Sequence, residues 1–199
     1  MLIAIGGCSG AGKTVLARAL EARLGRCAML ALDSYYHAQR GLTLEQRAEQ
    51  NYDHPDALEW SLLESHTRSL LGGSAADVPV YLFDQHTRAS ETARAEPGRV
   101  VIVEGILALH HAGLRDLARV RVFVETTEQE CLHRRLERDV RERGRTPDNI
   151  IEQYLATVRP SHEQFIEPSK RFADVIFPEG GMNEPAIDML MARVRELTA

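Results

Sequence analysis

The 199-residue sequence has little cysteine, little lysine and no long hydrophobic run. Cys8, Cys27 and Cys131 are odd in number and widely spaced, which fits neither a disulfide framework nor a zinc-binding pattern. The apolar residues 2–5 are too few for a membrane span or a signal peptide, and no basic segment precedes them. We therefore expect a cytoplasmic protein without disulfides or cysteine-bound metal.

Basic tracts are also missing, although arginine is frequent. The formal net charge is -5 at pH 7 and the two signs are mixed along the chain, so the sequence indicates neither a nucleic-acid partner nor a membrane. A hydrophobic content of 44% is enough for one core of ordinary size. We expect a single domain over residues 1–199, with no internal repeat and no linker.

Five short apolar runs alternate with helical patterns, at residues 2–5, 28–32, 100–103, 120–124 and 175–177. Continuous apolar runs are typical of strands that are buried on both faces of a parallel sheet. Leucines at positions 16, 20 and 24 recur every four residues before Gly25, which predicts a helix after the first strand. The sequence therefore predicts an α/β fold with a five-stranded parallel sheet and helices on both faces.

Two segments interrupt this alternation. Residues from about 39 to 90 contain a predicted helix start at Thr43, with Gln46 three positions later, and then the strand-like VPVYLF. We interpret them as a small β-rich insertion that covers a substrate. Residues from about 131 to 155 predict two helices with a break near Gly144 and Pro147, and arginines crowd before the break. We interpret this second segment as a helical lid.

The stretch GGCSGAGKTV, directly after the first apolar run, has the spacing of a phosphate-binding loop. Its backbone N–H groups can wrap the phosphates of a nucleotide, and the following helix adds its positive N-terminal end. Only Lys13 and Lys170 are lysines in a chain that otherwise uses arginine, which favours a required role for Lys13. The Thr14 hydroxyl has the position that binds Mg²⁺ in such loops. The predicted nucleotide-binding residues are Gly7, Cys8, Ser9, Gly10, Ala11, Gly12, Lys13 and Thr14.

A phosphate loop does not by itself distinguish a GTPase, a motor and a kinase. The strings Asn-Lys-x-Asp and Asp-x-x-Gly, which a GTPase needs, do not occur, and a motor needs more chain and a basic track. Phosphoryl transfer to a hydroxyl needs a carboxylate to take the proton, and Asp33 follows the second predicted strand. Glu104 ends the strand VVIVE, where it can hold Mg²⁺. A capping aspartate and a buried structural glutamate are the alternatives for these two positions.

The chain resembles the uridine kinase (uridine-cytidine kinase) family over nearly its whole length. In the family's order and spacing it contains GGCSGAGKT, LDSYY, NYDHPDAL, PVYLFDQHTR, VIVEGILAL, RRLERDVRERGR, IIEQYL and EPSKRFADVIFPEGG. NYDHPDA and HTR are far more specific than the phosphate loop, which marks a very large superfamily. The resemblance implies a P-loop kinase fold and ATP-dependent phosphorylation of uridine and cytidine at the 5'-hydroxyl, giving UMP and CMP in pyrimidine salvage.

Carried over residue by residue, the resemblance makes Asp33 the base that takes the proton from the 5'-hydroxyl. Asp53 would accept hydrogen bonds from the ribose 2' and 3' hydroxyls, although beside Pro55 it also suits a turn. The other substrate residues would be Tyr81 and His86 against the pyrimidine, Tyr36 and Phe83 as pocket walls, Arg145 and Gln153 at the base edge, and Arg135, Arg138 and Arg143 over the acceptor and the phosphates. Without the family, the arginines suit a solvated helix that pairs them with Glu137, Asp139 and Glu142.

The resemblance also implies ATP and Mg²⁺ as cofactors and a homotetramer as the assembly. Met182 stands near where relatives often have a polar residue beside the donor's base, so the choice between ATP and GTP stays open. One rival is a related kinase, such as a phosphoribulokinase or a pantothenate kinase; the other is a nucleotide-binding regulator without turnover. The presence of Lys13, Asp33 and Glu104 argues against the regulator. Aromatic residues with Asp53 and His86 suit a neutral sugar and a flat base, whereas a phosphoribulokinase must hold an acceptor phosphate.

Overall fold

The computed structural model describes residues 1–178 and 180–198. Its strands, in chain order, are β1 (Leu2–Gly7), β2 (Cys27–Ala31), β3 (Ala76–Leu82), β4 (Thr87–Ala95), β5 (Val100–Glu104), β6 (Ala118–Val124) and β7 (Val175–Phe177). Five of them form one sheet in the order β2-β5-β1-β6-β7, in which every neighbouring pair is parallel. The predicted α/β fold with a five-stranded parallel sheet is therefore confirmed.

The described helices are α1 (Lys13–Leu24), α2 (Leu44–Ala48), α3 (Trp60–Leu71), α4 (Ala112–Leu117), α5 (Glu128–Arg143), α6 (Pro147–Gln153), α7 (Arg159–Ser161) and α8 (Glu184–Thr198). Short 3₁₀ turns lie at Leu32–Tyr35, Pro55–Ala57 and Glu167–Phe172, and π-helical turns flank α7 at Tyr154–Val158 and His162–Ile166. Over residues 1–178 and 180–198, no helix combines the length and the apolar character that a membrane crossing needs.

The side chains of β1 and β5 are nearly all apolar, and every residue of both strands is buried. The central part of the sheet is therefore covered on both faces. On one face Ile3 and Ile5 pack with residues of α1 and α8, such as Leu16 and Ile187. On the other face Leu2 and Ala4 belong to a second cluster with residues of α3 and β3. The carboxyl ends of the parallel strands meet at one edge, which gathers the phosphate loop after β1, the turn after β2 and the end of β5.

The insertion begins with α2, whose predicted start is confirmed. Thr43 accepts a hydrogen bond from the Gln46 backbone N–H, and the Gln46 side chain accepts one from the Thr43 N–H. Further along, β3 and β4 form an antiparallel hairpin that is separate from the main sheet. The predicted break between two helices near Gly144 and Pro147 is also confirmed: α5 ends before Gly144, which has φ 63°, and α6 begins at Pro147.

The prediction that the cysteines form no disulfide is wrong. Cys8 in the phosphate loop is bonded to Cys131 in the first turn of α5, 123 residues later in the chain. The two meet because β1 and β6 are neighbours, so the segments that follow them leave the sheet side by side. The packing is close, since a side chain at Gly10 would collide with the Cys131 carbonyl group. Cys27 is a free thiol.

Candidate active site

The phosphate loop connects β1 to α1 and encloses the Lys13 side chain. Gly10 and Gly12 have φ of 87° and 96°, a backbone conformation that other residues rarely adopt. Lys13 is buried, and its Nζ donates a hydrogen bond to the Cys8 carbonyl oxygen at 2.8 Å. Burial lowers the pKa of the Lys13 ammonium, while the carboxylates of Glu104 and Asp33 act in the opposite direction.

Thr14 and Glu104 lie side by side next to this loop. The Thr14 hydroxyl donates to the Glu104 Oε1 at 2.9 Å, which joins the first turn of α1 to the end of β5. Burial raises the pKa of Glu104, and the nearby Lys13 ammonium opposes that rise. No group of three or more histidine, cysteine or acidic residues that could hold a metal ion occurs in the part of the chain that the structure describes. Mg²⁺ is usually held by one or two carboxylates together with substrate phosphates and waters, and the Glu104 carboxylate beside the Thr14 hydroxyl has this oxygen chemistry.

The donor cavity has a volume of about 410 Å³ and opens in front of the phosphate loop. It is lined by Gly10, Gly12, Lys13, Thr14, Val15, Arg134, Arg138, Gly180, Gly181 and Met182. Met182, the residue for which the choice between ATP and GTP stays open, is exposed in the wall of this cavity. Of the other predicted loop residues, Ala11 is fully buried, Gly7 ends β1 and Cys8 is bonded to Cys131.

The acceptor cavity, of about 70 Å³, lies beside the donor cavity. Its lining includes every residue predicted to bind the acceptor: Asp33, Tyr36, Asp53, Tyr81, Phe83, His86, Arg135, Arg138, Arg143, Arg145 and Gln153. Ser9, Tyr52 and Ile106 complete it. Arg138 lines both cavities.

Asp33 lies in the 3₁₀ turn after β2, in the wall of the acceptor cavity. The Tyr36 hydroxyl donates a hydrogen bond to its Oδ1 at 3.1 Å. This bond leaves Oδ2 for another partner and fixes the orientation of the carboxylate. The sequence predicts Tyr36 only as a wall of the pocket, although its spacing of three residues from Asp33 on one turn is a signal for such a contact.

Asp53 is buried, with 6% of its surface exposed. Its backbone N–H donates to the Asn51 side-chain oxygen at 3.1 Å, which holds the NYDHP segment in place. Burial raises the pKa of the Asp53 carboxyl, and the Arg135 guanidinium opposes that rise. Within the described residues no donor reaches its carboxylate, so its oxygens remain available to a ligand in the cavity.

Aromatic rings form one side of the acceptor cavity. Tyr36, Tyr52 and Tyr81 contact one another edge to face, with ring centroids 5.0 to 6.2 Å apart, and Phe83 joins Tyr81 in the same way. The Tyr81 hydroxyl is buried and has no hydrogen-bond partner among the residues that the structure describes. Tyr52, which the sequence does not predict as a site residue, directly precedes Asp53, and its ring stacks on that of His86.

His86 occupies the turn of the hairpin with φ 48°, a left-handed conformation that is strained in a residue with a side chain. Its ring stacks on Tyr52 with centroids 5.5 Å apart. Burial lowers the pKa of His86, and Arg145 and Arg143 lower it further. The ring is therefore neutral near pH 7, with one nitrogen that donates and one that accepts.

Four arginines of α5 and the turn after it line the acceptor cavity: Arg135 is buried, and Arg138, Arg143 and Arg145 are partly exposed. Arg135 is 6% exposed, and it donates to the Ser9 hydroxyl at 3.1 Å and to the Gln153 Oε1 at 2.9 Å. Arg145 donates to the same Gln153 oxygen at 2.7 Å. The Arg143 guanidinium lies 4.3 Å from the centre of the Phe83 ring, a cation–π contact.

The alternative of a solvated arginine helix holds only in part, because one of its three acidic residues pairs with the cavity arginines and the other two do not. Glu137 pairs with His133, and Glu142 pairs with Arg141, both on the outer side of α5. The third acidic residue of that alternative, Asp139, is fully buried and pairs with the arginines from inside. The sequence does not predict that Asp139 is buried, because charged residues occur along the whole of α5.

Comparison with known proteins agrees with this geometry. Residues 2–186 match the profile of the phosphoribulokinase / uridine kinase family. A uridine kinase of Geobacillus kaustophilus is 49% identical over 197 residues, covering 98% of this chain and 93% of the relative. A uridine kinase of Deinococcus deserti is 47% identical over 196 residues, covering 98% and 95%.

The fold also matches solved kinase structures at low sequence identity. The phosphoribulokinase of Rhodobacter spheroides superposes with a TM-score of 0.64 at 13% identity, over 89% of this chain and 69% of that one. This match supports the fold alone. The family profile and the two uridine kinases cover nearly the whole sequence, and the two uridine kinases are 47% and 49% identical to it. The chain belongs to the phosphoribulokinase / uridine kinase family.

Proposed function

We propose that this protein transfers the γ-phosphate of ATP to the 5'-hydroxyl of uridine and cytidine. The observation that carries the proposal is the pair of adjoining cavities, one with a phosphate loop and one with Asp33, Asp53 and aromatic walls, which share Arg138. The relatives that match over nearly their whole length bear the name uridine kinase, which supports the same reaction.

Asp33 is the base in this proposal. It takes the proton of the 5'-hydroxyl as the oxygen attacks the γ-phosphate, and the Tyr36 hydroxyl keeps its carboxylate in one orientation. Asp53 offers its free oxygens to the ribose diol. The stacked and edge-on rings of Tyr36, Tyr52 and Tyr81 give the flat base an apolar wall.

Lys13 and the lid arginines bind and neutralise the phosphates. Phosphoryl transfer depends on positioning and on charge stabilisation, because negative charge is spread over the transferred group. Thr14 and Glu104 are the residues that would hold Mg²⁺, and their adjacent oxygens fit a hard cation. When bound, the ion would neutralise charge on the donor phosphates.

The related kinases remain the nearest alternatives. A sugar-phosphate or pantothenate acceptor would leave the aromatic wall and the buried Tyr81 hydroxyl without a matching group, whereas a pyrimidine supplies both a flat face and polar edges. A regulator without turnover would not need a base, so it would not need the hydrogen bond by which Tyr36 orients the Asp33 carboxylate. The cytoplasmic location, the single domain, the homotetramer and the choice between ATP and GTP stay predictions.

The test measures ADP release with ATP and Mg²⁺ for uridine, cytidine, adenosine, ribulose 5-phosphate and pantothenate. Uridine and cytidine should be the substrates, and adenosine should be refused by as much as ~10⁴-fold because its second ring would displace Tyr81 or Phe83. A higher kcat/KM for ribulose 5-phosphate or pantothenate would replace the proposed acceptor. No ADP release with any acceptor would favour the regulator.

The base pocket gives a first prediction from a variant. His86→Ala should lower kcat/KM for uridine and cytidine alike, because the neutral ring can donate to a 4-oxo group or accept from a 4-amino group. ATP binding should be unchanged. His133→Ala, which removes an exposed histidine of α5, is the matched control and should behave like the parent. An unaltered kcat/KM for both nucleosides in His86→Ala would remove this residue from the base pocket.

The ribose site gives a second prediction. Removing the 2'-hydroxyl deletes a charge-assisted hydrogen bond to Asp53, so kcat/KM for 2'-deoxyuridine should be roughly 10 to 150-fold lower than for uridine, or about 1.5 to 3 kcal/mol. In Asp53→Asn this preference should shrink, mostly through a loss with uridine. Equal use of the two nucleosides by the parent would mean that Asp53 does not bind the ribose diol.

A further inference from the structure

Asp139 lies at the centre of the lid with no exposed surface. It is surrounded by four arginines: Arg135, Arg138, Arg143 and Arg145 all have a guanidinium nitrogen within 4 Å of its carboxylate. Its backbone carbonyl also accepts hydrogen bonds from the N–H groups of Gly144 and Arg145, at the end of α5. One residue therefore contacts every arginine that the acceptor cavity contains.

The two carboxylate oxygens divide these arginines into pairs. Oδ1 lies 2.7 Å from Arg138, which lines both cavities, and 3.4 Å from Arg143, which lines the acceptor cavity. Oδ2 lies 3.8 Å from Arg135 and 3.5 Å from Arg145. This second pair also converges on Gln153, whose Oε1 accepts from both of them. Arg138, which lines both cavities, and the two arginines that converge on Gln153 thus meet at a single carboxylate.

The charge at this centre is unequal. Four guanidiniums against one carboxylate leave an excess of three positive charges beside the acceptor cavity. Burial by itself raises the pKa of Asp139, but Arg138, Arg143 and Arg135 outweigh it and hold the pKa below its ordinary value. The carboxylate stays ionised and reduces the mutual repulsion of the guanidiniums before any phosphate is bound.

We propose that Asp139 is a positioning residue that holds the lid arginines in place before the substrates bind. Its one carboxylate then fixes both the arginines that contact the nucleoside and those that stabilise charge on the phosphoryl group. Asp139 itself touches no substrate in this arrangement and acts through Arg138 and Arg143. The inference rests on the proposed function, because the phosphoryl group and the nucleoside are the ligands that these four arginines would contact.

The test begins with the parent protein, whose uridine phosphorylation decides the proposed function separately. Asp139→Asn keeps the size of the side chain and removes its charge. We expect its kcat to fall by ~10 to 100-fold, because preorganised charges matter most in the transition state, with the KM for ATP changed by less than ~3-fold. Asp139→Glu restores the charge and should recover part of the lost kcat, which a general packing defect would not allow.

The matched control is Glu142→Gln, the same removal of charge on the same helix. Glu142 is exposed and bonded to Arg141, which lines neither cavity, so kcat and KM should equal those of the parent. A kcat for Asp139→Asn within ~3-fold of the parent would overturn the proposal. A KM for ATP that rises as steeply as kcat falls would also overturn it, because the residue would then serve ground-state binding.

A double-mutant cycle keeps the proposal testable if Asp139→Asn does not fold. Asp139→Glu shifts the carboxylate by one methylene and is measured in the parent and in Arg138→Ala. If Asp139 acts through Arg138, the loss of kcat that Asp139→Glu causes in the parent should largely disappear in the Arg138→Ala background. Additive losses would show that the two residues act independently and would overturn the proposal.

Discussion

Asp33→Asn should lose at least ~100-fold in kcat for uridine, the low end of what a general base contributes. The substitution keeps the shape of the side chain and its bond with Tyr36, but an amide cannot take the proton of the 5'-hydroxyl. ATP affinity should change little, because Asp33 lines the acceptor cavity and not the donor cavity. The measurement is steady-state kcat with saturating ATP, together with ATP binding in the absence of nucleoside.

Two further variants sharpen this result. Asp56→Asn makes the same chemical change at an exposed aspartate of the insertion and should leave kcat at the parent value. Tyr36→Phe removes only the hydrogen bond that orients the base, so it should lose less than Asp33→Asn. Near-normal kcat in Asp33→Asn would disprove its assignment as the base.

Lys13→Ala should lower both ATP affinity and kcat. The Lys13 ammonium is buried inside the phosphate loop, so it would contact the donor phosphates in the ground state and in the transition state alike. A charge-assisted contact of this kind is worth ~1.5 to 3 kcal/mol, so we expect ATP to bind roughly 10 to 150-fold more weakly. Direct titration with ATP and Mg²⁺ measures the first effect, and kcat with uridine measures the second.

Lys170→Ala is the matched control, because Lys170 is the other lysine of the sequence. Its ammonium pairs with Glu125, away from both cavities, so ATP affinity and kcat should be unchanged. If Lys13→Ala bound ATP and turned over like the control, the phosphate loop would not be the donor site.

Sequence reasoning predicts the sheet well because burial leaves a strong local signal. A strand that is covered on both faces is apolar almost throughout, and the short runs in β1 and β5, which are followed by glycines, are typical of such strands. The start of α2 and the break at Gly144 are equally local, since a cap or a left-handed residue acts within one turn.

The sequence does not predict β4, and the reason is physical. TRASETARA contains little hydrophobic surface, and most of its residues are exposed in the structure. The strand exists because its backbone pairs with β3 across the hairpin, not because its side chains are buried. Composition therefore gives no signal for this element, and only the pairing partner defines it.

The acceptor site is predicted by residue type, but the contacts within it are not. The family resemblance names Arg135 and Arg145 separately, whereas the structure joins both to one oxygen of Gln153. Asp139 resembles any acidic residue of a charged helix until packing places it inside the lid. Such contacts depend on how α5 and α6 meet, which sequence periodicity does not specify.

The bond between Cys8 and Cys131 turns most of the chain into a covalent ring. The ring contains β2, the insertion and β5, and it leaves β7 and α8 outside on the C-terminal tail. In the unfolded protein this ring would keep two distant segments together and remove up to about 5 kcal/mol of chain entropy, since closure entropy grows with loop length. A thiol reductant would open the ring, and the unfolded chain would then regain that freedom.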